Sequence, residues 1–179
     1  MMLSITRWEL SLSPVVVCSE FLYSGDMKTA TLTFKIMIAA DQHVIFDYLS
    51  DWQKQSDWIL FTTVEKVSAE PDGTGTKLLA KTGYGPLTFI DTMLVTEWLP
   101  PASITVEHTG RVILGKGVFT IRTVTEHSCE FIWQEITPVP FGLVGRIGLI
   151  IVKPFLNIMF GTSLKKLKTT IETATNLAI

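Results

Sequence analysis

One stretch near the end of the chain, from Pro140 to about Ala178, limits what this polypeptide can fold into. Phe141, Val144, Ile147, Ile151, Phe155, Ile158, Leu164, Leu167, Ile171 and Ala174 recur mostly at steps of three and four. On a helix of 3.6 residues per turn that spacing makes an apolar stripe. It predicts one long helix, bent at Pro154, where a backbone donor is missing. From Lys165 onward the pattern is amphipathic, with Lys165, Lys166, Lys168 and Glu172 off the stripe as a solvated face. Between Phe141 and Phe160 nearly every side is apolar, which predicts cover on several sides. Everything ahead of Pro140 reads as short strands. A curved sheet wrapped round a terminal helix is the economical arrangement, with a cavity between the two layers.

The 179 residues suffice for one domain with a sizeable core. A net charge of −2 and a pI near 5.9 give no reason to expect nucleic acid as a partner. A hydrophobic content of 47% and a mean hydropathy of +0.36 suit a chain lined inside by extra apolar surface, or one that touches membranes. A spanning helix needs roughly 20 largely uncharged residues. Arg146, Lys153, Pro154 and Asn157 interrupt the apolar run from Leu143 to Phe160, so a span is not expected. Residues 1–26 hold Arg7, Glu9, Glu20 and the run Pro14 to Cys18 without a small-residue cleavage site, which makes a poor signal peptide. They read as an extension, and 27–179 as the single domain. Cys18 and Cys129 stand far apart in unlike contexts, so a reducing, cytoplasmic setting is the expectation. Cys129 has no cationic neighbour in sequence to activate its thiol.

Thr31 to Ala39 alternates, with Leu32, Phe34, Ile36 and Ile38 on one face, as in a half-buried strand. Asp41 sits where an N-cap belongs, ahead of a short helix whose apolar side is Val44, Ile45, Tyr48 and Leu49. Asp51 is placed to cap a second helical turn through Trp52 and Trp58, two indoles expected to pack the short helices over one mouth of the cavity. Val64 to Glu70 reads as a strand closed by the turn Pro71-Asp72-Gly73-Thr74-Gly75. Further strands follow at Thr76–Thr82, Leu87–Trp98, Ser103–Thr109, Gly115–Thr125 and Ser128–Thr137. Tight turns between neighbouring strands favour an antiparallel sheet.

Ile38-Ala39-Ala40-Asp41, the run Val44 to Asp51, and Trp58 resemble the opening of the SRPBCC superfamily. That group takes in START-like lipid-binding domains and proteins labelled polyketide cyclase/dehydrase. The Gly73-x-Gly75 turn, the Trp98-Leu99-Pro100-Pro101 strand end and Trp133 fit as well, and the likeness spans about residues 31–177. Ala40 departs from the proline many relatives carry there. The resemblance implies an α+β helix-grip fold: a curved antiparallel sheet of about seven strands, with two short helices, around a long C-terminal helix. It implies a hydrophobic pocket but no particular activity.

Pairing the strands about their turns places side chains on faces. With Pro100-Pro101 as a turn, Met93 opposes His108, and Asp91 lies diagonal to it. The next connections put Val106 opposite Phe119, Ile104 and Trp133 opposite Ile121, and Phe119 opposite Glu135. One face then gathers Leu87, Phe89, Asp91, Met93, Ile104, Val106, His108, Phe119, Ile121, Phe131, Trp133 and Glu135. Arg122 falls on the solvated opposite face. Asp91, His108 and Glu135 break an otherwise apolar surface, where a charge is costly unless paired or near water. They either meet the polar end of a ligand, satisfy one another, or act as acid and base.

Motifs for nucleotide phosphates, dinucleotides, metal pairs and nucleophile elbows are lacking. His43, His108 and His127 lie in separate elements, so neither a metal nor another cofactor is expected. The reading that follows is a binding protein for a hydrophobic small molecule: a lipid, isoprenoid or polyketide-like compound. Its contacts would be Phe89, Asp91, Met93, Val106, His108, Phe119, Ile121, Phe131, Trp133 and Glu135. Two alternatives stand beside it. One is a polyketide cyclase/dehydratase-type enzyme using His108 with Asp91; the other is a protein or membrane interaction module using the apolar C-terminal helix, with transient membrane contact.

Overall fold

The computed structural model describes residues 22–23, 29–138 and 143–177, without the side chains of 22–23 and 143–150. Eight antiparallel strands form one sheet: β1 (Leu22–Tyr23), β2 (Thr29–Ile38), β3 (Thr62–Lys66), β4 (Lys77–Tyr84), β5 (Leu87–Leu99), β6 (Ser103–His108), β7 (Gly115–Thr125) and β8 (Ser128–Pro138). Their spatial order is β1-β2-β8-β7-β6-β5-β4-β3. Helices α1 (Gln42–Ser50) and α2 (Gln55–Trp58), bridged by a 3₁₀ turn at Trp52–Lys54, follow β2, and α3 (Leu143–Leu177) closes the chain. This is the helix-grip architecture. The strand beyond the expected set is β1, two residues from the 1–26 segment that pair with β2. The remainder of that segment, and Phe141 of the expected stripe, lie outside the described residues.

The caps form as the sequence dictates. Asp41 accepts the amide of His43 at 2.7 Å, and Asp51 accepts that of Lys54 at 3.4 Å. The Asp41 carboxylate thereby satisfies a first-turn backbone donor, while the Lys54 amide also donates to the Asp51 carbonyl at 3.0 Å.

β2 and β8 supply the centre of the core with Leu32, Phe34, Ile36, Ile38, Phe131 and Trp133, against Phe160, Leu164, Leu167 and Ile171 of α3. The second half of α3 is also tied by polar contacts to the end of β2. Lys168 donates to the carbonyl of Met37 at 2.8 Å and to Glu172 at 2.6 Å, and Glu172 accepts the Ala39 amide at 2.7 Å. Ser163 accepts the amide of Leu60 at 3.0 Å, fixing the middle of the helix to the segment after α2.

The first half of α3 departs from expectation. The inward line runs Lys153, Asn157, Phe160, Leu164, Leu167, Ile171, at steps of four and three. Ile151, Phe155 and Ile158 are therefore turned outward and are 72%, 60% and 69% exposed. They do not share one stripe with Leu164, because the six-residue step from Ile158 carries the line round the helix. Cover on several sides is not observed at these positions. Pro154 lies within α3, and the helix continues through it.

Candidate functional site

Asp91, His108 and Glu135 come together on the concave face. β5 and β6 pair with Met93 opposite His108, as the Pro100-Pro101 turn predicts. The following registers differ by two residues: Gly117 opposes Val106, and Trp133 opposes Phe119. A two-residue shift keeps every side chain on its face. Glu135 now lies across from Gly117, and Gly117 lies across from Val106, the neighbour but one of His108. An irregularity between Thr123 and Thr125 accounts for part of the difference at β7–β8.

The His108 ring is clamped on both nitrogens. Nδ1 meets Asp91 Oδ2 at 2.5 Å, and Nε2 meets Glu135 Oε2 at 3.3 Å. The other oxygen of Glu135 accepts the Trp133 indole N–H at 2.6 Å. The side chains of Asp91, His108 and Glu135 are 3%, 8% and 19% exposed. Burial pulls the imidazole pKa down, but Glu135 and Asp91 outweigh it and push it up to about 9. With a carboxylate facing each nitrogen, both nitrogens carry protons and the ring is an imidazolium.

Two glycines make room for this cluster. A Cβ on Gly110 would come within 2.3 Å of Asp91 Oδ1, and one on Gly117 within 3.2 Å of Glu135 Oε1. Neither glycine carries a signal in the sequence, because their value appears only once β5, β6, β7 and β8 are paired.

Below the cluster the space between sheet and helix is packed with rings. Phe160 stacks on Phe34 at 4.4 Å and meets Trp133 edge-on at 4.4 Å. Trp58 sits among Phe119, Phe131 and Trp133. Ile121, Phe131 and Trp133 are core side chains at 3%, 0% and 6% exposure. Phe89, Met93, Val106 and Phe119 are half-buried, as are Leu156 and Met159 of α3. The expected contact residues thus divide into a sealed aromatic floor and an accessible half around His108. Trp58, expected at a mouth, is fully buried within that floor.

Three buried polar atoms have no partner among the described residues: Asp91 Oδ1, Asn157 Oδ1 and Trp58 Nε1. Asn157 lies one turn before Phe160 on the inward line of α3, and Glu135 lies two residues past Trp133 on β8. Helix and strand run antiparallel and Phe160 touches Trp133, so three helix residues, about 4.5 Å, roughly match two strand residues, about 6.6 Å. Asn157 is therefore level with Glu135. From sequence, Asn157 was legible only as an interruption of an apolar run.

A separate depression of about 440 Å³, lined by Asp47, Ser50, Asp51, Trp52, Gln53, Lys66 and Asp72, lies far from this cluster. Its charges are already matched. Lys54 pairs with Asp51 and Lys66 with Asp72, and Asp72 also accepts the Trp52 indole. Among the described residues no group is arranged to hold a metal ion. Burial pushes the Cys129 thiol pKa up, against a reactive role. Arg122 is exposed and pairs with Glu130 at 3.4 Å.

Solved structures with the same fold are numerous. A conserved protein from Geobacillus kaustophilus superposes with a TM-score of 0.61 at 15% identity, over 82% of this chain and 96% of that one. The di-domain ARO/CYC protein BexL, from the BE-7585A biosynthetic pathway, gives 0.63 at 14% identity over 82% of this chain and 47% of that one. StfQ, the di-domain ARO/CYC protein of the steffimycin pathway, gives 0.65 at 11% identity over 83% and 52%. This chain spans about half of each di-domain protein. No protein-family model matches the chain, and no curated protein does. At such identities the likeness establishes a shared fold, the helix-grip fold.

Proposed function

We propose that the protein binds an apolar small molecule, lipid, isoprenoid or polyketide-like, in the half of the helix–sheet space around His108. The apolar body rests on Phe89, Met93, Val106 and Phe119, with Ile121, Phe131 and Trp133 as the floor. Its polar end meets Asp91, His108 and Glu135. The observation that carries this reading is Asp91 Oδ1, a buried carboxylate oxygen without a partner among the described residues, beside half-buried apolar side chains. A buried acceptor left unmet costs about 1–3 kcal/mol. Asn157 Oδ1 is a second unmet acceptor, whereas the unmet Trp58 Nε1 is sealed in the floor. A hydroxyl group can donate to such an acceptor, so a hydroxylated ligand fits better than a plain hydrocarbon.

Native mass spectrometry of gently purified protein tests this, together with displacement of a lipophilic dye by a long-chain alcohol and its methyl ether. A retained apolar compound, and tighter binding of the alcohol, are the expected results. Empty protein that takes up neither dye nor alcohol defeats the reading.

The pairing of His108 Nδ1 with Asp91 favours a second reading, proton transfer in a cyclase or dehydratase reaction. Here His108 is the acid and Asp91 orients it. Under this reading His108→Gln removes turnover of a hydroxylated polyketide while leaving binding within a few fold; under the first, the protein shows no turnover to lose.

A further inference from the structure

The ends of the strands nearest His108 share an unusual surface. Met93 pairs with His108, His108 with Gly115, and Lys116 with Ile136, so β5 and β7 begin where β6 and β8 end. The β4–β5 turn and the β6–β7 connection project from that end. α3 starts there as well, and because Phe160 packs on Trp133 its earlier residues lie toward the same end. All three segments expose large apolar side chains: Tyr84 and Leu87 at 84% each, Val112 at 63%, and Ile151, Phe155 and Ile158 on α3. Exposed apolar residues are ordinary when scattered, but a collection from three segments at one end marks a contact surface.

Charge selects the partner. Residues 81–90, 107–116 and 143–158 contain Lys81, Arg111, Lys116, Arg146 and Lys153 against the single acid Glu107. Lys81, Arg111 and Lys116 are exposed. At the opposite end charges of both signs are mixed, with Lys54 paired to Asp51 and Lys66 to Asp72. In a chain of net charge −2, cations thus predominate among these three apolar segments. Apolar tips with interspersed cations match the boundary layer of an anionic bilayer, where the apolar groups enter the acyl region and the cations meet headgroups. No helix among the described residues is long and apolar enough to cross a membrane, so contact is interfacial.

We propose that the end of the molecule bearing Tyr84, Leu87, Val112 and the Ile151–Phe155–Ile158 stripe docks on an anionic lipid bilayer. The accessible half of the helix–sheet space is at this end, so a docked molecule presents His108 and its neighbours toward the lipid. The docking itself stands on exposure and charge and does not require the ligand reading to hold.

Cosedimentation of the full chain with phosphatidylcholine vesicles, with and without phosphatidylglycerol, is the test. Three exposed cations predict binding on the order of 100-fold tighter to the anionic vesicles, lost again at high salt. The double variant Ile151→Ser/Phe155→Ser should weaken binding ~10-fold or more. Leu99→Ser/Val124→Ser, at the other end, should leave it unchanged. All these side chains are exposed, and unaltered thermal unfolding confirms that the variants fold. Absence of binding to either vesicle overturns the proposal, as does binding indifferent to both pairs of substitutions. Self-association abolished by Phe155→Ser without vesicle binding would give this face to a second copy and overturn it equally.

Discussion

Asp91 and His108 lie on neighbouring strands but not opposite each other: Met93 faces His108, and Asp91 reaches it along the diagonal, Oδ2 to Nδ1 at 2.5 Å. The diagonal leaves Asp91 Oδ1 free to point elsewhere, while Oδ2 holds the ring. Glu135 closes the other side. The imidazolium between them ties β5, β6 and β8 together across the concave face.

Stability should depend on pH through His108. The folded-state pKa of about 9 lies above the ordinary value of 6.5. The stabilisation is fully present below the ordinary value, and is lost as pH rises through the folded value. Denaturant unfolding should therefore show stability declining by a few kcal/mol between about pH 6 and about pH 10. In His108→Gln that decline should be much smaller; an unchanged slope would sink the assignment.

Asp91→Asn keeps size and removes charge. The His108 pKa should fall by roughly 1–2 units, read by NMR titration of the ring. It should remain above that of a solvent-exposed histidine, because Glu135 still faces Nε2. A titration identical to wild type would show that Asp91 does not sense the ring charge.

Gly110→Ala is a steric probe of the same pair. The added methyl would meet Asp91 Oδ1 at 2.3 Å and the Thr92 amide nitrogen at 3.3 Å. The short aspartate side chain must rotate away from His108, so this variant should lower the ring pKa in the direction of Asp91→Asn. Gly85→Ala is the comparison: its Cβ meets nothing within 4 Å, though its φ of +56° is strained. It should cost about 1 kcal/mol of stability and leave the ring titration alone.

Two phenylalanines of α3 should behave oppositely. Phe160→Ala removes the ring stacked on Phe34 and set against Trp133, and should cost about 3–5 kcal/mol. Phe155→Ala, at 60% exposure, should change stability by no more than about 0.5 kcal/mol. Equal losses in chemical denaturation would contradict the orientation of the helix.

Local chemistry made much of this fold legible. Asp41 and Asp51 cap the helical turns they were expected to cap, and the turn-rich residues between strands set an antiparallel order. Alternation put Asp91, His108 and Glu135 on one face, and that survived because the register errors at β6–β7 and β7–β8 were even. What sequence concealed depended on partners. The outward turn of Ile151, Phe155 and Ile158 follows from which line of α3 meets Trp133, and periodicity cannot choose between two apolar lines. The aromatic floor was likewise hidden, since Phe34, Trp58 and Phe160 come from three distant segments. The unmet oxygens of Asp91 and Asn157 emerge only when the surroundings of each atom are known.

The anchoring of α3 to the tail of β2 through Lys168 and Glu172 gives the long helix the mechanics of a cantilever. Directional bonds hold it at that end and, through Ser163 and Leu60, at its middle, where Phe160 adds non-directional ring contacts. Pivoting about the clamp would widen the opening without breaking a single strand-to-strand bond, so admitting a bulky guest requires no unfolding of the wall behind it.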